Sequence, residues 1–151
     1  MSQKTLTKTE ETLRSVIEIL IDGQKGFEKL GEHITDPTLK KYFFAESLRR
    51  ASFRGDLEEV LHIEGVHDIK ESGTVTGNLR RGWGELKTTL GGGDHSLLET
   101  AEAGEDSAKK AYAEALDEED LPLPIRQILV SQAADIQDSH DYIKAARDST
   151  K

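Results

Sequence analysis

The sequence has no cysteine, three prolines, one methionine and one tryptophan, and 5% of its 151 residues are aromatic. The missing cysteine excludes a disulfide framework, thiolate zinc sites, cysteine-ligated iron–sulfur clusters and cysteine nucleophiles. Positive charge is also scarce: 20 Lys and Arg stand against 29 Asp and Glu, a net charge of −9. A surface of that sign repels phosphate backbones, so no nucleic-acid partner is expected. No apolar run approaches the ~20 residues that span a bilayer, so no membrane partner is expected either. The start, MSQKTLTKTEETL, lacks the apolar stretch of a secretory signal, and the expected location is cytoplasmic, in a bacterial-type protein. There is no glycine-rich phosphate loop and no G-x-S-x-G nucleophile elbow.

What is present is helical periodicity. Leu13, Val16, Ile17, Leu20, Gly23, Phe27, Leu30 and Ile34 recur at steps of three and four, which predicts a helix over Thr9–Ile34 with Thr7-x-x-Glu10 as a capping box. Asp36 and Pro37 suit the N-cap and first position of a second helix, Pro37–Ile63, closed by Gly65. A third, shorter helix is expected over Thr74–Leu90, with Trp83 docking on the bundle. A fourth is expected from Ser96, with Ser96-x-x-Glu99 as a capping box, to Leu116. A fifth is expected over Pro124–Arg147. The segment 117–120 is acidic but lacks the spacing of a calcium loop.

Four long amphipathic helices in two tight hairpins, joined by a crossover at about 66–95, predict an all-α, single-domain protein over 1–151. The topology is that of a ferritin-like antiparallel four-helix bundle with a long, partly helical crossover. Advancing each helix by ~100° per residue turns Gln24, Glu46, Arg50, Glu102, Glu105, Gln132 and His140 inward, and Glu18 and Asp22 outward. Three readings follow. In one, these seven residues form a buried polar network in which Arg50 pairs with Glu46, Glu102 or Glu105. In the second, Glu46, Glu102, Glu105 and His140 hold iron or manganese, because oxygen and imidazole donors suit those ions. In the third, Glu102, Glu105 and His140 form a single weak metal site. A dinuclear carboxylate site needs a Glu from each of two helices and Glu-x-x-His from each of the other two. Here the first helix offers the neutral Gln24, Arg50 puts a cation into the face, and the fifth offers Gln137-x-x-His140. The Glu59–His62 string points to solvent, and Glu64–His67 lies past the helix end.

Several stretches together resemble a known family. They include Asp22-Gly23-Gln24-Lys25-Gly26-Phe27, Asp36-Pro37-Thr38-Leu39-Lys40, Ser72-Gly73-Thr74, Arg81-Gly82-Trp83, Glu102-Ala103-Gly104-Glu105-Asp106, Lys110-Ala111-Tyr112 and His140-Asp141. In that order they resemble the bacterial ferritin-like four-helix-bundle proteins classed as a domain of unknown function. The resemblance implies a ferritin-like bundle, a link of some relatives to stress responses, and no established reaction. It also implies a Glu, in many members, at the position of Gln24.

The leading expectation is a non-catalytic bundle without a cofactor, working in a stress-related role through a homo-oligomer or a protein partner. The alternatives are an iron or manganese oxidase or peroxide-handling protein, and a small-molecule binding bundle.

Overall fold

The computed structural model describes residues 3–65, 83 and 90–150 of the protein. They form four helices: α1 (Gln3–His33), α2 (Pro37–Ile63), α3 (Asp94–Leu116) and α4 (Leu123–Ser149). Among the described residues there is no strand. The expected helix over Thr74–Leu90 lies outside them, except for Trp83 and Leu90. Around the bundle, α1 packs on α2 and α3, and α4 packs on α3 and, more lightly, on α2.

Local chemistry sets the two ends of α2. Asp36 is its N-cap: one carboxylate oxygen accepts from the Thr38 and Leu39 backbone N–H groups at 2.9 and 3.0 Å, and Pro37 follows. At the other end Gly65 takes φ 99°, the left-handed conformation that stops a helix without a Cβ penalty. Because only residues 34–36 join them, α1 and α2 are antiparallel neighbours.

The start of α3 is anchored at this same turn. Asp94 Oδ1 accepts from the Thr35 N–H at 2.9 Å, and Oδ2 accepts from the Thr35 hydroxyl at 2.8 Å and the Asp36 N–H at 3.0 Å. Thus α3 begins at the end of the bundle where α1 finishes, opposite the end where α2 stops. The end of α2 and the start of α3 therefore lie at opposite ends of the bundle, about 40 Å apart for a helix of 27 residues. This anchor also corrects the expected start at Ser96. The helix begins two residues earlier after Gly93, no side chain caps it, and the capping box is not formed. Likewise α1 begins at Gln3, so Thr7 and Glu10 lie inside the helix, where Glu10 pairs with Arg14 at 3.0 Å.

The core has two apolar clusters with a polar layer between them. One cluster holds Leu13, Ile17 and Leu20 of α1, Phe53 and Leu57 of α2, Tyr112 of α3 and Ile136 of α4. The other holds Phe27, Leu30, Phe43, Leu98, Ala101 and Ile143, together with Trp83. Along each helix the inward residues between the clusters are small or polar: Gly23 and Gln24, Glu46, Ser47 and Arg50, Gly104 and Glu105, Ser139 and His140.

Trp83 comes from the crossover and is fully buried at the α1–α3 seam. It lies in a slot made by two glycines: a Cβ on Gly26 or on Gly104 would fall within 3.0 Å of the indole. Its ring meets Phe27 edge-on at 5.2 Å. The burial of α1 extends beyond one stripe: Ile19, Ile21 and Asp22 are all buried, and Asp22 is not the outward residue that the helical wheel predicts.

Two predictions follow from these contacts. Gly104→Ala should cost about 2 kcal/mol in chemical denaturation by overpacking, and Trp83 fluorescence should shift towards that of exposed indole. Gly23→Ala is the control, since its Cβ would meet the Arg50 side chain at an ordinary 3.5 Å. Asp94→Ala should cost about 1 kcal/mol, the worth of a capping carboxylate. The slight burial of Asp94 is outweighed by its bonds from Thr35 and Asp36, which hold its pKa below the usual value. Its contribution is therefore present above the unfolded-state pKa of about 3.9 and lost as pH falls through the lower folded-state value. Melting curves from pH 7 to pH 2 should show that loss in the wild type and not in Asp94→Ala.

Candidate functional site

The centre of the polar layer is Arg50. It is 1% exposed, and its partners Glu46 and Glu105 are 3% and 0% exposed. Glu46 and Arg50 stand one turn apart on α2, and Glu105 faces them from α3. Arg50 grips Glu105 with both ends of its fork, Nη1 to Oε1 at 2.6 Å and Nη2 to Oε2 at 2.8 Å, and Nη2 also donates to Glu46 Oε2 at 3.1 Å. This two-pronged geometry is specific to arginine. The guanidinium lies 5.0 Å from the centre of the Phe27 ring, a cation–π contact. Its Nε has no hydrogen-bond partner among the described residues.

Burial, acting alone, would lower the Arg50 pKa; Glu105 and then Glu46 reverse this and hold it above the ordinary arginine value. Glu46 moves the other way for a carboxylate under two cations. Burial raises its pKa, and the attraction of Arg50 and of Arg49, 3.6 Å away at the rim, offsets only part of that rise.

A second cluster adjoins the first. The Tyr112 hydroxyl donates to Gln132 Oε1 at 2.7 Å, and Gln132 Nε2 donates to the Phe53 carbonyl at 3.1 Å. One buried amide thereby ties α3, α4 and α2 together, and burial keeps the Tyr112 hydroxyl protonated by raising its pKa. Gln24 joins the layer differently from expectation. It is half-buried, and its backbone carbonyl accepts from Ser47 Oγ at 2.8 Å.

Glu102 and His140 belong to a third cluster at the α3–α4 edge. His140 Nε2 lies 3.0 Å from Asp106 Oδ1 and 3.6 Å from Glu102 Oε2, and Nδ1 lies 3.2 Å from Asp141 Oδ1. Arg147 donates to the other oxygen of Glu102. Gln137 Nε2 donates to Asp141 at 2.9 Å, and the bond with His140, followed by that with Gln137, lowers the Asp141 pKa.

Six of the seven residues therefore divide among three groups, and Gln24 contributes only its backbone carbonyl. The four candidate metal ligands divide as well: Glu46 and Glu105 meet on Arg50, while Glu102 and His140 meet beside Asp106. The division comes from helical geometry, since Glu102 and Glu105 are three residues apart and point about 60° apart. Asp106, Asp141 and Arg147 were not among the sequence candidates. Asp106 was visible in principle, being four residues after Glu102 and thus on the same face. Glu59 and His62 are both exposed, as their wheel positions predict.

Residues 8–118 match the family described as Domain of unknown function (DUF2383), and the chain belongs to that family. The matched stretch contains Gly26, Glu46, Arg50, Trp83, Gly104 and Glu105 and stops before α4. No curated protein matches the chain.

Arg50→Leu should destabilise by about 3–5 kcal/mol, because it strands two buried carboxylates. Adding Glu105→Leu to it should recover most of that loss, a result that denaturant titrations of the single and double variants will read. Glu46→Gln should remain within about 1 kcal/mol of the wild type at pH 7. Since the folded-state pKa of Glu46 is raised, its charged form opposes folding at neutral pH, and this cost is relieved as pH falls through that value. The Gln variant should lack this part of the pH dependence.

Proposed function

We propose that this chain is a ferritin-like bundle that acts as a scaffold and not as a redox catalyst, working through self-association or a protein partner in a stress-related role. The observation that carries the non-catalytic part is the Arg50 guanidinium between Glu46 and Glu105. A dinuclear metal centre uses carboxylates of facing helices to neutralise two divalent ions. Here a fixed monocation fills that electrostatic role, and both oxygens of Glu105 are committed to it. A metal ion would have to displace the guanidinium, leaving a buried cation without its partners.

The ferritin-like part is supported by the order of the helices: two antiparallel hairpins, with the end of the first and the start of the second at opposite ends of the bundle. The interaction part is supported by an apolar side chain in water on α2, Leu48 at 73% exposed, with the partly exposed Phe44 one turn away. The stress-related part rests on the family resemblance.

Iron loading tests this reading. After anaerobic addition of Fe(II), exposure to air and gel filtration, iron retained per chain should be unaffected by Glu46→Gln. Two irons per chain that are lost in Glu46→Gln and Glu105→Ala, and kept in Asp106→Asn, would show a dinuclear centre at Arg50 and overturn the proposal.

A further inference from the structure

The α3–α4 edge has an arrangement that the central ion pair does not explain. Glu102 and Asp106 are one turn apart on α3, and His140 reaches between them from α4. His140 is nine-tenths buried, whereas Asp106 opens to solvent. One ligand atom from each of the three lies within 4.8 Å of the others. Donors at ~2.1 Å from a common ion are about 3.0–3.4 Å apart in octahedral or tetrahedral geometry. The separations from His140 Nε2, 3.0 and 3.6 Å, sit close to that range.

The imidazole is also oriented from behind. Asp141 contacts Nδ1 at 3.2 Å and is itself held by Gln137. When Nδ1–H donates to Asp141, Nε2 turns its lone pair towards Glu102 and Asp106. A carboxylate behind a histidine in this way is the usual outer partner of a metal-bound imidazole. Three acceptor atoms with no hydrogen between them then repel one another, and a cation removes that repulsion. Arg147 supplies positive charge only to the far oxygen of Glu102, and it is shared with Asp148 at 2.9 Å.

We propose that Glu102 Oε2, Asp106 Oδ1 and His140 Nε2 form a mononuclear site for a first-row divalent transition-metal ion, bridging α3 and α4, with water in the remaining positions. Two carboxylates and one imidazole suit Mn(II), Fe(II), Co(II) or Zn(II) better than Ca(II) or Cu(I). The site is separate from Arg50, so it does not depend on the non-catalytic reading. A bound ion would clamp the second hairpin and raise its stability by mass action.

Co(II) titration of the full chain, followed by its visible absorption and by Tm, tests the site. One Co(II) per chain is expected, with a Tm that rises on saturation. His140→Gln and Asp106→Asn should each weaken binding at least tenfold and abolish the Tm rise, while Glu46→Gln should leave both unchanged. Arg147→Gln should tighten binding several-fold by removing a competing cation, a gain that misfolding would not mimic. If the wild type shows no saturable binding, or His140→Gln and Asp106→Asn bind as it does, the cluster is an ion-pair network only and the proposal fails. Loss of binding in Glu46→Gln would place the ion at Arg50 and would also overturn it.

Discussion

Burying one arginine in the middle of a four-helix bundle constrains everything packed around it. A guanidinium taken out of water loses far more than hydrophobic contact returns, unless its partners are placed in advance. Here Glu105 must stand on α3 at the height of Arg50 on α2, and Phe27 of α1 must present its ring face 5.0 Å away. Sliding α3 by one turn against α2 would separate the charges by about 5.4 Å inside an apolar medium. The apolar clusters on either side have no comparable preference, because leucines and isoleucines tolerate exchange of neighbours. The layer thus selects register, and the two clusters supply the burial.

The crossover is tied to this layer through shared residues. Phe27 touches Arg50 with its face and meets the edge of Trp83, so one ring serves both. Gly104 opens the slot for the indole, and the next residue, Glu105, holds Arg50. Gly26 plays the same part beside Phe27. Two sequence neighbours on α1 and two on α3 therefore place Trp83 and the buried cation at one level. A change that moves the indole acts on Phe27 and on the residue beside Glu105, the two neighbours that also hold Arg50.

The parts of this design that were legible in the sequence are those fixed by local chemistry. Asp36-Pro37 marks the α1–α2 turn because a carboxylate cap and a residue without an N–H suit those two positions. Arg50 could be placed inside because it is four residues after Glu46 on an apolar face. Other parts depend on neighbours that one helix cannot reveal. Asp22 faces outward on a wheel with one buried side, yet α1 is covered on further sides. Ser96-x-x-Glu99 has the form of a capping box, but Asp94, held by Thr35 and Asp36, starts the helix before it. Glu102 and Glu105 both fall on the inner half of α3, and the 60° between them decides which meets α2 and which meets α4. A wheel assigns both to the interior and cannot divide them.

That division gives two residues three positions apart on one helix opposite electrostatic positions. At the centre, Glu46 and Glu105 are matched by Arg50 and, at the rim, by Arg49, so the negative charge is balanced within the protein. At the edge, Glu102 and Asp148 pair with Arg147, Asp106 and Asp141 contact His140, and Lys109 attracts Asp141, so the four carboxylates outnumber the two fixed cations. The first arrangement leaves a metal ion no net attraction to offset its own dehydration. The second retains uncompensated charge, an imidazole fixed by its outer nitrogen and an opening to water at Asp106. If this bundle holds a cation from outside, electrostatics assigns it to the edge, because the centre already contains its own.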